Sequence, residues 1–236
     1  MKDKKFLLII TYGRSGSTLL MGILNSIPGF RIMGENQDAY ASLLTFYIRL
    51  MDSLASNKIM EKNWKVYKSC NSWWNEFDPD KIKERLRDVM VEHLDPYDNA
   101  RVVGFKEINY GKHLKLGRDN LWFYLEWLHS VTGGCRFIWL TRNLDDVCKS
   151  EWWSESPPED IVKKLGNFEC FMEEYIGAHS GSQDWFHLCY EDMIVGKLED
   201  FFVWLGESFD KKRVDRVLRI PHGYKSKGKI KTGGME

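Results

Sequence analysis

The residues Tyr12-Gly13-Arg14-Ser15-Gly16-Ser17-Thr18-Leu19-Leu20 constrain this chain more than any others. They follow the apolar run Phe6-Leu7-Leu8-Ile9-Ile10. They lead into Leu19, Leu20, Ile23, Leu24 and Ile27, which recur at helical spacing. The order is strand, glycine-rich turn, helix. The first N–H groups of such a helix have no intrahelical acceptor, and they lie at the positive end of its dipole. The turn gathers them around one point that suits a phosphate or sulfate. Gly13 and Gly16 let the backbone approach closely, while Ser15, Ser17 and Thr18 add hydroxyl donors and Arg14 a fixed charge. The same turn can also join strand to helix with no ligand at all.

The nucleotide-loop pattern GxxxxGK[ST] places a lysine just before its Ser/Thr. Here Ser17 follows Gly16 and the loop has no lysine, so a kinase built on it would lack the usual clamp on the transferred phosphate. A second segment gives the loop its meaning. Arg136-Phe137-Ile138-Trp139-Leu140-Thr141 reads as a buried strand, followed by Arg142 and then Asn143-Leu144-Asp145-Asp146-Val147-Cys148-Lys149-Ser150. A helix beginning near Asn143 returns Ser150 to the face nearest the turn. Arg142 and Ser150 would then bind a second anion. The alternative is a surface Arg142–Asp146 pair and an ordinary helix serine.

Together these segments resemble the sulfotransferases that use 3′-phosphoadenosine 5′-phosphosulfate as donor. Arg14, Ser15, Gly16, Ser17 and Thr18 look like that family's 5′-phosphosulfate loop, and Arg142 and Ser150 like its 3′-phosphate site. Gly34-Glu35, Gly104-Phe105-Lys106-Glu107 and Tyr190-Glu191-Asp192-Met193 fit in order, so the resemblance runs from about residue 6 to about residue 206. Leu144 stands where many members have proline. Lys106 is followed by Glu107 and Ile108, not by the Lys-x-His pattern of the cytosolic aryl and steroid branch. The arrangement is closer to branches with a carboxylate base, including protein-tyrosine and some bacterial carbohydrate sulfotransferases.

Composition sets outer bounds. The 236 residues suit one α/β domain, with 43% hydrophobic and 29% charged residues. No apolar run approaches the ~20 residues of a membrane span, and the apolar run after the lysine-rich start is short for a signal peptide. Cys70, Cys135, Cys148, Cys170 and Cys189 are scattered without CxxC spacing, which suggests reduced thiols and a cytoplasmic location. Formal net charge is zero, which argues against a nucleic-acid binder. The end is nonetheless basic: a segment at about 220–236 carries Lys225, Lys227, Lys229 and Lys231. It is either a solvated tail or, as the resemblance implies, a flap over the donor's phosphates.

Periodicity predicts strands at 5–11, 30–33, 101–106, 136–141 and 185–189. Helices are expected at 17–26, 37–55, 79–93, 119–131, 144–153, 158–179, 197–205 and 210–219. Strands separated by helices imply a three-layer α/β fold with a mainly parallel sheet, similar to P-loop nucleotide-binding domains. Ligands in such sheets sit at the carboxyl ends of the strands. Thr11, Gly34-Glu35, Lys106 and Arg142 all fall at or just after such ends. The insert at about 37–99 is aromatic-rich, with Tyr40, Phe46, Tyr47, Trp64, Tyr67, Trp73, Trp74 and Phe77, and Trp152 and Trp153 closely follow the second anion site. These residues serve either the core or the wall of an acceptor pocket.

The implied chemistry is sulfuryl transfer to an acceptor hydroxyl on a carbohydrate or other small molecule. Arg14 and the loop N–H groups would hold the 5′-phosphate and sulfate, and Lys106 would approach the bridging oxygen. Glu35 would act as general base, with Glu107 and His113 in reserve. Arg142, Ser150, Tyr190, Lys225 and Lys227 would complete the donor site. No metal is required, because these cations meet the charge. The competing readings are a P-loop small-molecule kinase, with Glu107 as a Mg²⁺-associated acid, and a catalytically silent binding module on the same scaffold, against which the presence of both Glu35 and Lys106 argues.

Overall fold

The computed structural model describes residues 4–64 and 74–220. The basic segment from 221 onward, with Lys225 and Lys227, lies outside the described residues, as do Cys70, Tyr67 and Trp73. Five strands, β1 (Lys5–Ile10), β2 (Phe30–Met33), β3 (Val102–Glu107), β4 (Cys135–Thr141) and β5 (Trp185–Cys189), form one sheet in the order β2-β3-β1-β4-β5. Every pairing is parallel. The chain leaves β1, builds β2 and β3 on one side, then crosses to β4 and β5 on the other. The topological switch therefore falls at β1, where open α/β sheets bind ligands.

Alternation along the strands divides the core into two layers. Phe6, Leu8 and Ile10 of β1 join Phe105, Phe137 and Trp139 in one cluster. This cluster packs on α3 (Pro79–Leu94), α5 (Arg118–Thr132) and α7 (Pro158–Ala178). Leu7 and Ile9 join Ile138 and Leu140 in the other, against α1 (Ser17–Asn25), α9 (Glu199–Leu205) and α10 (Lys211–Leu218). Burial on both faces explains why β1 and β4 read as continuous apolar runs rather than alternating ones. No helix among the described residues is long and apolar enough to cross a membrane.

The helices depart from the sequence reading in ways with local causes. α2 (Ala39–Trp64) begins later than position 37 because Gln37 and Asp38 hold positive φ of 55° and 60°. α4 (Tyr110–Lys115) and α8 (Tyr190–Ile194) are too short to show a period. α6 stops at Leu144–Cys148 rather than reaching 153, and a 3-10 turn, Glu151–Glu155, follows it. At that break the Ser150 hydroxyl donates to the Val147 carbonyl at 2.7 Å. α3 is set by Asp78, whose carboxylate accepts from the N–H groups of Asp80 and Lys81 ahead of Pro79.

Gly104 lets the sheet close at β1. A Cβ there would lie 1.7 Å from the carbonyl oxygen of Leu7 on the neighbouring strand. Overpacking a core costs ~1–3 kcal/mol and sometimes more, so Gly104→Ala should lose about 3 kcal/mol in urea unfolding. Gly166 lies inside α7 with open space at its Cβ position. Gly166→Ala should gain about 0.4–1 kcal/mol, and equal effects at the two positions would refute the packing argument.

Candidate active site

The strand ends converge on a cleft of about 480 Å³ lined by Gly13, Arg14, Gly16, Ser17, Thr18, Glu35, Lys106, Arg142 and Tyr190. α1 opens it. Gly16 is the residue before the helix, with φ 88°, and no side chain caps its first turn. Leu19 and Leu20 are the first to bond back, to the Gly16 carbonyl at 3.0 and 3.1 Å. The earlier N–H groups of the turn are therefore left for the cleft. Arg14 also takes the left-handed conformation, φ 71°, a strained state for a residue with a side chain.

The serines of the loop divide by role. Ser15 is fully buried, and its hydroxyl lies 2.7 Å from Thr11 Oγ1, which itself donates to the Leu140 carbonyl at 2.7 Å. Ser15 thus ties the loop to β4, and only its backbone is left to face an anion. Ser17 and Thr18 line the cleft.

Arg142 enters from the end of β4. Its Nη1 donates to the Arg14 carbonyl at 3.0 Å, and its guanidinium carbon stands 4.4 Å from the centroid of the Tyr190 ring. Its Nε is buried with no hydrogen-bond partner among the described residues. A buried donor left without a partner is costly, and an anion in the cleft is the group that would satisfy it. Ser150 is not among the residues that line this cleft, since its hydroxyl turns back onto Val147. Tyr190 packs edge-on to Gly16, where a Cβ would come within 2.2 Å of the ring.

Lys106 and Glu35 face each other at the ends of β3 and β2. The alternation that sends Phe105 into one core sends Lys106 to the α1 side, where its ammonium donates to Glu35 Oε1. Lys106 is nearly buried, and the Glu35 side chain is 29% exposed. One of the three ammonium donors goes to Glu35, which leaves two for another acceptor. Glu107, on the opposite face, is buried. Its Oε1 accepts from the N–H groups of Ile108 at 2.8 Å and Asn109 at 3.1 Å, and from the Asn109 side chain at 2.8 Å. Its Oε2 accepts from the Asn36 N–H at 3.3 Å, which fixes the turn that carries Glu35. His113 lies against the Tyr124 ring, with Nε2 3.4 Å from Asp38. Neither Glu107 nor His113 lines the cleft.

Two residues that the sequence did not single out for this role hold the loop. The Tyr12 hydroxyl accepts from the Arg142 N–H at 2.9 Å and donates to Glu169 at 2.7 Å. Burial, then the bond to Glu169, pushes the Tyr12 phenol well above its ordinary pKa. Burial also raises Glu169, although the Tyr12 bond opposes it. Trp153 donates from Nε1 to the Gly13 carbonyl at 3.1 Å. Tyr12 is visible in the sequence only as a polar aromatic at a strand end, and Trp153 lies in the 3-10 turn that replaced the expected helix. Among the described residues the cleft is lined by three cations, Arg14, Lys106 and Arg142, against one carboxylate, Glu35. Cations placed in this way can bind and stabilise oxyanions, and the carboxylate lies beside them.

No protein-family model and no curated protein matches the sequence. Among solved structures, the fold is similar to a sulfotransferase from Mycobacterium avium, with 13% identity over 92% of this chain and 67% of that one and a TM-score of 0.47. It is similar to the sulfotransferase domain of the olefin synthase of Synechococcus PCC 7002, with 14% identity over 90% of this chain and 77% of that one, TM-score 0.47. It is also similar to the sulfotransferase domain from the curacin biosynthetic pathway, with 15% identity over 89% of this chain and 76% of that one, TM-score 0.48.

The Gly16–Tyr190 contact predicts a coupled pair. Gly16→Ala should cost about 2–5 kcal/mol, the sum of a left-handed residue's ~1–2 and an overpacking cost of ~1–3. In a Tyr190→Ala background the ring is gone, and the same change should cost only about 1–2 kcal/mol. Urea unfolding of the four proteins measures the coupling, and additive losses would separate Tyr190 from the loop.

Proposed function

We propose that this chain transfers a sulfuryl group from 3′-phosphoadenosine 5′-phosphosulfate to an acceptor hydroxyl of a carbohydrate or other small molecule. The observation that carries the reading is the placing of Glu35, bonded to Lys106, in one cleft with the lysine-free loop and with Arg142, whose buried Nε lacks a partner. The donor supplies an activated S–O bond to its 5′-phosphate. The loop N–H groups and Arg14 hold the 5′-phosphate and sulfate, while Arg142 takes the 3′-phosphate. Glu35 accepts the acceptor's hydroxyl proton as the new O–S bond forms and the bridging S–O bond breaks. The electron pair of the broken bond stays on the 5′-phosphate, and Lys106 meets that charge.

Kinase chemistry is the less favoured reading on the same residues. The loop carries no lysine, and Glu107, the acid it would need near Mg²⁺, spends both oxygens on backbone and amide donors. The two readings part on ligand preference. Calorimetry in EDTA should show tight binding of 3′,5′-diphosphoadenosine, and Arg142→Ala should weaken it by about 1.5–3 kcal/mol. Equal affinity for adenosine 5′-phosphate would remove the second anion site. A requirement for Mg²⁺-ATP instead would favour the kinase.

Glu35→Gln keeps an amide oxygen for Lys106 but cannot take up the proton. A positioned base contributes ~10²–10⁴-fold, so single-turnover rates should fall by that order while diphosphoadenosine affinity holds. Lys106→Ala should also depress the rate far more than product affinity, because the charge it meets develops in the transition state. Parallel losses in rate and affinity would make Lys106 a simple binding group.

A further inference from the structure

A second cleft, of about 670 Å³, adjoins the first and shares Gly13 and Ile108 with it. Its floor is apolar and aromatic, with Tyr12, Trp153, Leu165 and Phe168 buried. Its rim is cationic. Lys112 and Lys115 come from α4, Arg118 from the start of α5, and Lys163 and Lys164 from α7, with Asp160 the one opposing carboxylate among the described lining residues. The chain as a whole carries 34 basic and 34 acidic residues, so five cations against one acid is a local excess, not a reflection of composition.

Local ion pairs cancel only part of this charge. Lys112 reaches Asp38 at 3.7 Å, and Arg118 is bonded to Glu174. Lys115 and Lys163 form no ion pair among the described residues, and Lys164 stands 4.9 Å over the ring of Trp153. Burial, and then the charge of Lys115, holds the Lys164 ammonium below its ordinary pKa. Cations from α4 and α7 thus repel across the cleft, and an anion between them would relieve that repulsion. A cleft lined by one sign of charge over an apolar floor concentrates ligands of the opposite sign.

Resting on the sulfuryl-transfer reading, we infer that the acceptor is itself anionic. It is a hydroxyl compound bearing a carboxylate or sulfate group, which it sets on the Lys115–Lys163–Lys164 rim while its apolar face covers Trp153 and Phe168. The shared wall at Gly13 and Ile108 then brings its hydroxyl toward Glu35 and Lys106.

Matched acceptor pairs test this whatever the natural acceptor is. Methyl glucuronide is set against its methyl ester, and galactose 6-sulfate against galactose, each titrated into the protein saturated with 3′,5′-diphosphoadenosine and each assayed with the sulfuryl donor. The anionic member should bind and react at least about tenfold better, and the gap should narrow as salt rises from ~0.02 to ~0.2 M. In the Lys115→Glu/Lys163→Glu double variant the preference for the anion should fall by about tenfold or more, read as the ratio within each pair. A preference for the neutral members, or no binding of either anion, overturns the inference and leaves the donor reading standing. A loss of diphosphoadenosine affinity in the double variant as large as the loss of anion preference would assign this cleft to the donor. If the unaltered protein binds no diphosphoadenosine, the donor reading fails first and this inference with it.

Discussion

One hydroxyl joins the two halves of the site. Tyr12 leaves the end of β1, and its oxygen bonds the backbone of Arg142 at the end of β4 and the carboxylate of Glu169 on α7. β1 and β4 are neighbours at the switch point of the sheet, so their following turns open on the same side. Without a fixed link the two turns would still be close, but their arginines would not share a register. With it, the Arg142 guanidinium can reach the Arg14 carbonyl, and Tyr190 can close over both Gly16 and Arg142. The Thr11–Ser15 and Thr11–Leu140 contacts repeat the tie one residue earlier. A strained loop, with positive φ at Arg14, persists because these bonds over-determine it.

β1, β3 and β4 are legible because burial on both faces makes each a short apolar run that ends in polar, chemistry-bearing residues, while the edge strands β2 and β5 are only partly buried and carry Arg31 and His187. Their parallel arrangement followed from the intervening helices, and it accounts for the meeting of Arg14, Glu35, Lys106 and Arg142. The layout was less legible where periodicity is too short to measure. α4 and α8 span six and five residues, less than two turns each. Ser150 was placed by helical spacing, but the helix ends before it reaches that position. No propensity signals that break, because it depends on a serine bonding back to the chain in place of the next turn.

The basic rim was illegible for a different reason. Each of its lysines is, in sequence, an ordinary exposed residue on a helix, and the rim draws on three separate elements. The aromatic floor is legible only in part: Trp153 stands close after Arg142 in the sequence and does line the second cleft, whereas Tyr12 and Phe168 carry no such signal. The insert at about 37–99 holds many aromatics, yet Tyr40 packs on Phe105 inside the core, and among the described residues the rings lining the second cleft are Tyr12, Trp153 and Phe168. Aromatic density along a chain does not say which rings are buried, since Phe46 of the insert is 51% exposed. Only the topology decides which rings are left facing a cleft.

The Glu35–Lys106 bond couples two roles that are usually assigned separately. In the resting pair the two charges offset one another, which is why a nearly buried ammonium is tolerable at that strand end. In the proposed reaction Glu35 becomes neutral as it accepts the acceptor's proton. Lys106 then loses its counter-charge at the stage when negative charge builds on the departing phosphate oxygen. Its attraction for that oxygen rises between ground state and transition state, and only such differential stabilisation accelerates a chemical step. A base held apart from the cation would have to rely on a Lys106 charge equally available before and during transfer, which favours binding over turnover. In that reaction the paired arrangement would make proton transfer itself the event that frees the cation, while Glu107 holds the turn that carries Glu35 through the Asn36 N–H.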